Sequence, residues 1–378
     1  MKLTIDKTSL NLATARMQGA ITERSLAQIG LKASESILQI AATDRVLAVY
    51  SDLECKVEVS GTVFVPARLF SDVVKELPSG DVSLTLESAY LVITAGENDS
   101  YTMKIPIIDD LSWREPPALG ANYSENSADV PTNKLSYLIE QVQFCVQQDS
   151  PRNYGSVGYL HRPANGNIRL VGTDGFRLSY CEMETLVPDS FLSNGICLSK
   201  RALSEIHRMC GDGFAAIKLS IAEDETTLVA QVPGYSIFIR LSAVKYPNYV
   251  GVLPKSDPAG VVVSKAQIQA VTKRVLLAAD KSRALQLCFS NSSLTLNSKT
   301  MGSSEGRETI HLDDYQGEKF DVAVNGKFLT DVFQTTSSDN LLLQFNVKSN
   351  EEPMVIVPRT EPVDCSSKHV LVPIKQND

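Results

Sequence analysis

The side chains able to do chemistry in this chain are its acids, histidines and cysteines, and their spacing decides what chemistry is open to them. Two adjacent pairs, Asp109-Asp110 and Asp313-Asp314, have the composition of a magnesium site. Neighbouring side chains on a strand point to opposite faces, however, so one pair seldom gives two ligands to one ion. The histidines at 161, 207, 311 and 369 show no ligand spacing, and neither a Ser/His/Asp pattern nor a glycine-rich phosphate loop is present. Seven cysteines (55, 145, 181, 197, 210, 288 and 365) are scattered without a C-x-x-C pair, which fits reduced thiols better than disulfides or zinc. A metal-dependent hydrolase acting on nucleic acid is the enzymatic alternative, but the expectation is a protein with no catalytic residue, metal or cofactor.

One stretch stands apart. "GTDGFRLSY" (172 to 180) runs a Thr-Asp-Gly turn into a strand that carries Arg177. A catalytic aspartate, a phosphate cradle, a seat for a protein tail and a plain hairpin corner all fit it. "TDRVLAVY" (43 to 50) repeats the pattern 130 residues earlier, which favours turn chemistry for Thr173 and Asp174 and leaves Gly175, Phe176 and Arg177 as the specialised part.

The elements that position these residues repeat as well. "VPARLFSDVVKELPSG" (65 to 80), "LSKRALSEIHRMCGDG" (198 to 213) and "VNGKFLTDVFQTTSSD" (324 to 339) align without gaps. A base recurs at Arg68, Arg201 and Lys327, an apolar side chain at Phe70, Leu203 and Leu329, and an acid at Asp72, Glu205 and Asp331. The period is domain-sized, so the chain reads as three tandem copies of one fold, with boundaries at 1–124, 125–256 and 257–378. Turn-rich linkers "GANYSENSAD" (120 to 129) and "PKSDPAGV" (254 to 261) mark the joints. Period-two runs such as "SLTLESAYLVITAG" surround helical stretches such as "KLSYLIEQVQFCVQQ", so the fold class is α+β: antiparallel sheet with two helices per copy.

At 378 residues, 43% apolar and 21% charged, the composition is that of ordinary globular domains and excludes a disordered chain. The opening "MKLTIDKTSLNLATARM" has no long apolar core, and no stretch approaches the roughly 18 apolar residues of a membrane span, so the expected location is cytoplasmic. The net charge of −8 argues against a surface coated in bases. Yet the predicted helices, 8–21, 66–77, 131–148, 198–210, 264–283 and 325–336, hold thirteen bases against six acids. They carry about +7 and the remainder about −15, a distribution suited to sequence-independent contact with phosphates. With a single tryptophan, Trp113, and no aromatics among basic runs, stacking on single strands is not expected.

Over essentially its whole length the chain resembles the bacterial DNA sliding clamp, the beta subunit of the DNA polymerase III holoenzyme. The resemblance rests on "VPARLFSDVVKELPSG", "GTDGFRL", "YPNYVGVLP" (246 to 254) and the tail "VLVPI" (370 to 374), in this order and spacing. It implies a ring-shaped head-to-tail homodimer around double-stranded DNA, a tether without catalysis, with helices facing a central channel. It places Arg24, Gln148, Arg152, Tyr154, Lys200 and Arg201 toward DNA, and Met103, Leu276 and Leu277 at the dimer contact. It implies a pocket for short motifs of the polymerase alpha subunit, the clamp-loader delta subunit and other partners. The matching pocket positions are Arg152, Tyr154, Gly155, Thr173, Gly175, Phe176, Arg177 and Leu178, then Pro247, Val252, Val370, Val372, Pro373 and Ile374. Three departures bear on it: Phe176 replaces a usual histidine, Gly155 falls where a leucine commonly helps form the pocket floor, and "KQND" extends the tail. A scaffold that binds peptides without DNA is the remaining alternative.

Overall fold

The computed structural model describes residues 1–378 except 22–26, 45, 110, 117–125, 223–224, 254–258, 301, 313–314, 316, 318 and 375–378. Both expected joints, at 124/125 and 256/257, fall outside the described residues. The chain forms two compact units, one of residues 1–130 with 212–241 and the other of 131–211 with 242–378.

The first unit holds two sheets. One runs β5 (Lys56–Val59), β1 (Lys2–Asp6), β7 (Asp81–Glu87), β8 (Tyr90–Ala95), β9 (Tyr101–Pro106). The other runs β10 (Ser127–Pro131), β15 (Ala216–Ile221), β16 (Thr227–Val232), β17 (Tyr235–Arg240), β4 (Leu47–Glu54), β3 (Ile37–Thr43), β2 (Gln28–Ser34), β6 (Gly61–Pro66). In the second unit an eight-stranded sheet has the matching order β18 (Ala259–Ser264), β23 (Asn340–Phe345), β24 (Met354–Pro358), β25 (Cys365–Leu371), β13 (Arg177–Met183), β12 (Ile168–Thr173), β11 (Val157–His161), β14 (Ile196–Ser199). A four-stranded sheet, β21 (Ser304–His311), β20 (Ser293–Thr300), β19 (Ala284–Ser290), β22 (Phe320–Asn325), completes it.

The two eight-stranded sheets share register as well as order. Phe238 pairs with Ala48 across β17 and β4, as Val370 pairs with Leu178 across β25 and β13. These central pairings join strands of different repeats, which is why the compact units follow the sheets and divide the middle repeat. Strands form where apolar residues alternate: Leu38, Ile40 and Ala42 of β3 are buried and their neighbours are not.

Six α-helices are described, α1 (Lys7–Arg16), α2 (Ala67–Glu76), α3 (Thr132–Glu140), α4 (Lys200–Cys210), α5 (Lys265–Val275) and α6 (Gly326–Thr335), each directly following a strand. Ser199, Ser264 and Asn325 cap α4, α5 and α6 by accepting from backbone N–H groups of the first turn. The aligned apolar positions point inward as their spacing requires: Phe70, Leu203 and Leu329 are at most 1% exposed. Three helices are shorter than their periodicity predicts. After α1, α3 and α5 the chain tightens into 3-10 turns at Met17–Ala20, Gln143–Cys145 and Leu276–Ala278. Val142 and Val146 remain buried beyond the end of α3, so the apolar spacing persists where the hydrogen-bond pattern does not. No described helix is long and apolar enough to cross a membrane.

Candidate functional site

The turn at 172–176 is built by its own side chains. Asp174 Oδ1 accepts from the backbone N–H groups of Phe176 (3.0 Å) and Arg177 (3.1 Å), and Thr173 Oγ1 accepts from Gly175 N (3.1 Å) while donating to Arg177 O (2.6 Å). Gly175 has φ +86°, and a Cβ there would lie 1.5 Å from Arg152 Nη1. The aspartate is a turn-former, as its repeat partner suggests.

Beside this turn is a cavity of about 200 Å³, lined by Tyr154, Thr173, Gly175, Arg177, Leu178, Pro247, Asn248, Tyr249, Val252, Pro353, Val370 and Val372. Nine of these were expected from sequence. They come together because β13 and β25 pair with Leu178 opposite Val370, and Val372 N donates to Phe176 O at 3.0 Å. Asn248 and Tyr249 lie inside the quoted "YPNYVGVLP", so their neighbours could have signalled them; nothing in the sequence marked Pro353.

Other expected members lie elsewhere. Gly155 is buried behind the turn, where a Cβ would meet Ser150 Oγ at 2.4 Å and Asp174 Cα at 3.6 Å, so it is not among the cavity-lining residues. Pro373 and Ile374 leave the cavity because Ile374 N is tied to Ala323 O at 2.7 Å. Arg152 is exposed and lies across the turn, donating to Asp174 O (3.3 Å) with its guanidinium 5.0 Å from the Phe176 ring. Phe176, 56% exposed, is thus a rim residue outside the lining.

Arg177 lines the cavity as expected, but its side chain is 7% exposed and each of its three nitrogens already donates within the chain. Nε donates to Asp174 Oδ2 (3.0 Å), Nη1 to Asp331 Oδ2 (2.5 Å) and Nη2 to Phe144 O (2.9 Å), with the guanidinium between the Phe144 and Phe328 rings. It fastens the pocket turn to helix α6.

Beneath lies a sealed polar chain: Cys145 Sγ donates to Ser179 Oγ (3.3 Å), which is 2.9 Å from His369 Nδ1. Burial pushes the Cys145 thiol up to about 12 and the His369 ring down to about 3. Neither is ionised near neutrality, so this pair is no thiolate nucleophile. The His369 ring does predict a pH response. Above its ordinary value of 6.5 it is neutral folded or unfolded; from there down to about 3 only the unfolded chain takes the proton, so stability falls with pH. Denaturant titrations should show a loss of about 2 kcal/mol between pH 7 and pH 5 from this group, absent in His369→Gln; equal slopes in the two proteins would refute it. Near the cavity, Arg169 Nη1 donates to Tyr249 Oη (2.7 Å), which lies 2.9 Å from His161 Nε2. Burial pushes His161 down to about 4, so the neutral ring can accept the Tyr249 proton.

Of the residues expected toward DNA, Gln148 and Arg152 are exposed, Tyr154 is half-buried, and Lys200 and Arg201 open α4 half-buried. Arg24 lies outside the described residues. Of the expected dimer residues, Met103 is half-buried on the edge strand β9, Leu276 is half-buried against the core, and Leu277 is 85% exposed. Arg16 is a helix base unavailable to any polyanion, being buried and paired with Asp212 at 3.0 Å. Asp109 is exposed, whereas Asp110, Asp313 and Asp314 lie outside the described residues; among those described, no group of three or more His, Cys, Asp or Glu residues could hold a metal.

Repeated strand-to-helix units, joined by sheets that run from one repeat into the next, are the architecture of a DNA clamp. Comparison with known proteins gives the particular family. Models of the DNA polymerase III beta subunit match in chain order: the N-terminal domain at residues 1–111, the central domain at 129–248 and the C-terminal domain at 251–375. The beta sliding clamp of Caulobacter vibrioides is 25% identical over 99% of this chain and 100% of its own length. That of Escherichia coli K12 is 24% identical over 90% of this chain and 92% of its own. A crystal structure of the Caulobacter crescentus clamp superposes with a TM-score of 0.87 at 25% identity, covering all of both chains. A Bartonella birtlesii clamp bound to griselimycin, at 21% identity, shares the fold with a TM-score of 0.89. The chain belongs to the DNA polymerase III beta-subunit family, the beta sliding clamps, which are processivity factors and not catalytic enzymes.

Proposed function

We propose that two copies of this sliding clamp close head to tail around duplex DNA and tether a polymerase to it, with no catalytic residue of its own. The carrying observation is at the helix starts. Each described α-helix has a base in its first turn, Lys7, Arg68, Lys134, Lys200 with Arg201, Lys265 and Lys327, and none has an acid there. The helix dipole disfavours bases at that end by about 0.3–1 kcal/mol each. A feature that opposes helix stability six times is explained by an external anion, and dipole and base together attract phosphate. Lys134 is paired with Asp364 and Lys265 with the Thr336 carbonyl, so the contribution differs between helices.

The sheets support closure by a second copy. β9 holds the place in its sheet that β17 and β25 hold in theirs, and β21 the place of β4 and β13, yet β9 and β21 are sheet edges. Pairing β9 of one copy with β21 of the next completes a third sheet of the same order and repeats around a closed twofold ring. In that arrangement Met103 falls in the row of Ile237 and His369, and Leu276 and Leu277 stand beside β21. The repeats, taken as 1–124, 125–256 and 257–378, then alternate around the ring.

The cavity at β13 and β25 is proposed to take short extended motifs from the polymerase alpha subunit, the clamp-loader delta subunit and other partners, working in the bacterial cytoplasm. Its walls of valine, leucine and proline suit an apolar anchor. Val372→Asp, which puts a charge on that wall, should weaken a fluorescent polymerase-tail peptide by tenfold or more on the order of a hot-spot loss; unchanged anisotropy titrations would remove the pocket from the proposal. The ring itself is tested by loading the protein onto nicked circular DNA with a clamp loader and ATP, then cutting the circle. Release on linearisation is expected, and retention on linear DNA with free ends would defeat the ring.

A further inference from the structure

The first helix of each repeat holds one position whose surroundings differ between the three copies. Counted from the first helical residue, α1, α3 and α5 bury the same steps: Leu10, Leu135 and Ile268, then Ala13, Leu138 and Val271, then Met17, Val142 and Val275. On that count Arg16, Gln141 and Arg274 are equivalent, and so, three residues on, are Phe144 and Leu277.

The first two of these side chains cross to the next repeat. Arg16 is buried, with Nε donating to Asp212 Oδ2 at 3.0 Å and its guanidinium 4.4 Å from the Tyr235 ring centroid. Gln141 is fully buried, with Nε2 donating to Thr335 O at 3.0 Å. Both acceptors lie at the C-terminal end of the second helix of the following repeat: Thr335 is the last residue of α6, and Asp212 comes just after α4. Arg274 has no following repeat in its own chain. Its side chain is 58% exposed and held by Glu308 of β21, with Nε at 2.8 Å and Nη2 at 2.5 Å from the carboxylate. That contact has a match in the first repeat. Glu308 stands opposite Leu296 as Ser51 stands opposite Ile40 in the corresponding hairpin, and Arg16 Nη1 reaches Ser51 Oγ at 3.5 Å. Arg274 thus makes the contact within its repeat, while the contact across a joint needs a second copy.

The acceptor in that copy follows from the aligned second helices. In "VPARLFSDVVKELPSG" the place of Thr335 is Glu76 and that of Asp212 is Ser79, so the side chain's reach ends within residues 76–79. Glu76 is the one acid of that stretch and is exposed. α2 is also the one described α-helix whose C-cap N–H makes no bond back to its last turn, which leaves carbonyls there for an outside donor. We propose that Arg274 of one copy binds the C-terminal end of α2 in the next, donating to Glu76 while Glu308 holds its other edge. Arginine suits the place because its planar fork serves two acceptors at once, and a cation is favoured at a helix C-terminus. The inference rests on head-to-tail closure and adds a polar latch to it. It sits beside Leu277, whose counterpart Phe144 packs against the core of the third repeat.

Sedimentation of the full chain at several concentrations reads the dimer constant. Arg274→Met and Glu76→Gln are each expected to weaken pairing about tenfold or more, since both joints of the ring are affected. The two together should weaken it no further than the worse of the two alone, because each removes the same contact. Reversing the pair, Glu76→Arg with Arg274→Glu, should recover pairing relative to either reversal alone. Thermal unfolding of the separated chains checks folding, because Arg274→Met also releases Glu308. Glu76 is exposed, so Glu76→Gln leaves the chain's own fold in place and must still weaken pairing. Losses that multiply in the double variant, or a Glu76→Gln dimer as tight as the parent's, would overturn the proposal. Leu277→Asp separates the two readings: if it splits the dimer while Arg274 and Glu76 show no coupling, head-to-tail closure stands and this contact falls. A parent that stays single at every concentration would remove both.

Discussion

Aspartate in place of Leu277 is expected to split the paired protein into single chains and end its retention on circular DNA. Leu277 is 85% exposed in the single chain and follows a half-buried Leu276 that packs on the core. Both lie in the 3-10 turn Leu276–Ala278, beside the unpaired edge β21. An apolar anchor at the centre of an interface is worth roughly 2 to 4 kcal/mol, and an unpaired carboxylate in its place adds a desolvation cost, so the dimer constant should weaken by about 30-fold to 1,000-fold. Sedimentation at several concentrations measures this. Because the side chain makes little contact within its own chain, the melting temperature of the separated chains should stay near the parent's. A variant that pairs as tightly as the parent would place the interface elsewhere.

Arg177→Met should strongly destabilise the second unit, even though Arg177 need not touch a ligand. It removes the cation from a buried cluster and leaves Asp174 and Asp331 facing each other's charge without it. Breaking a buried pair by removing one partner costs about 3–5 kcal/mol. Denaturant unfolding should show a loss of that order, and a double-mutant cycle with Asp331→Asn should return a coupling above about 1 kcal/mol. Peptide binding should fall as well, because Asp174 sets the turn that puts Thr173 and Gly175 in the cavity wall. Val372→Asp provides the contrast, losing binding without the stability loss. If Arg177→Met unfolds like the parent, the arginine is not the fastening that its contacts describe.

Much of the fold is legible in the residue pattern because it is local. The aligned "RLFSDVVK", "RALSEIHR" and "KFLTDVFQ" stretches set three helices by apolar spacing, and Thr173, Asp174 and Gly175 make their turn from neighbours two and three residues away. Where the helices stop is less legible: Val142 and Val146 keep a helical spacing through a 3-10 turn, since apolar periodicity records burial and not the hydrogen bond behind it. The pocket is legible in part for the same reason. Tyr154, Leu178 and Val370 are found by motif, but whether Gly155 or Ile374 faces the cavity depends on what lies behind each residue.

By itself the sequence determined that one fold occurs three times, that its helices are basic within an acidic chain, and where its turns lie. Each of these is encoded by residues close along the chain. The tertiary structure decided that sheets cross the repeat boundaries, through β4 with β17 and β13 with β25, and that β9 and β21 remain as edges. It also decided the part of Arg177, whose partner Asp331 lies 154 residues away. A side chain in a marked turn is available to a ligand only if the folded chain leaves its donors unspent, and here the turn's own aspartate, the Phe144 carbonyl and a distant helix have each taken one.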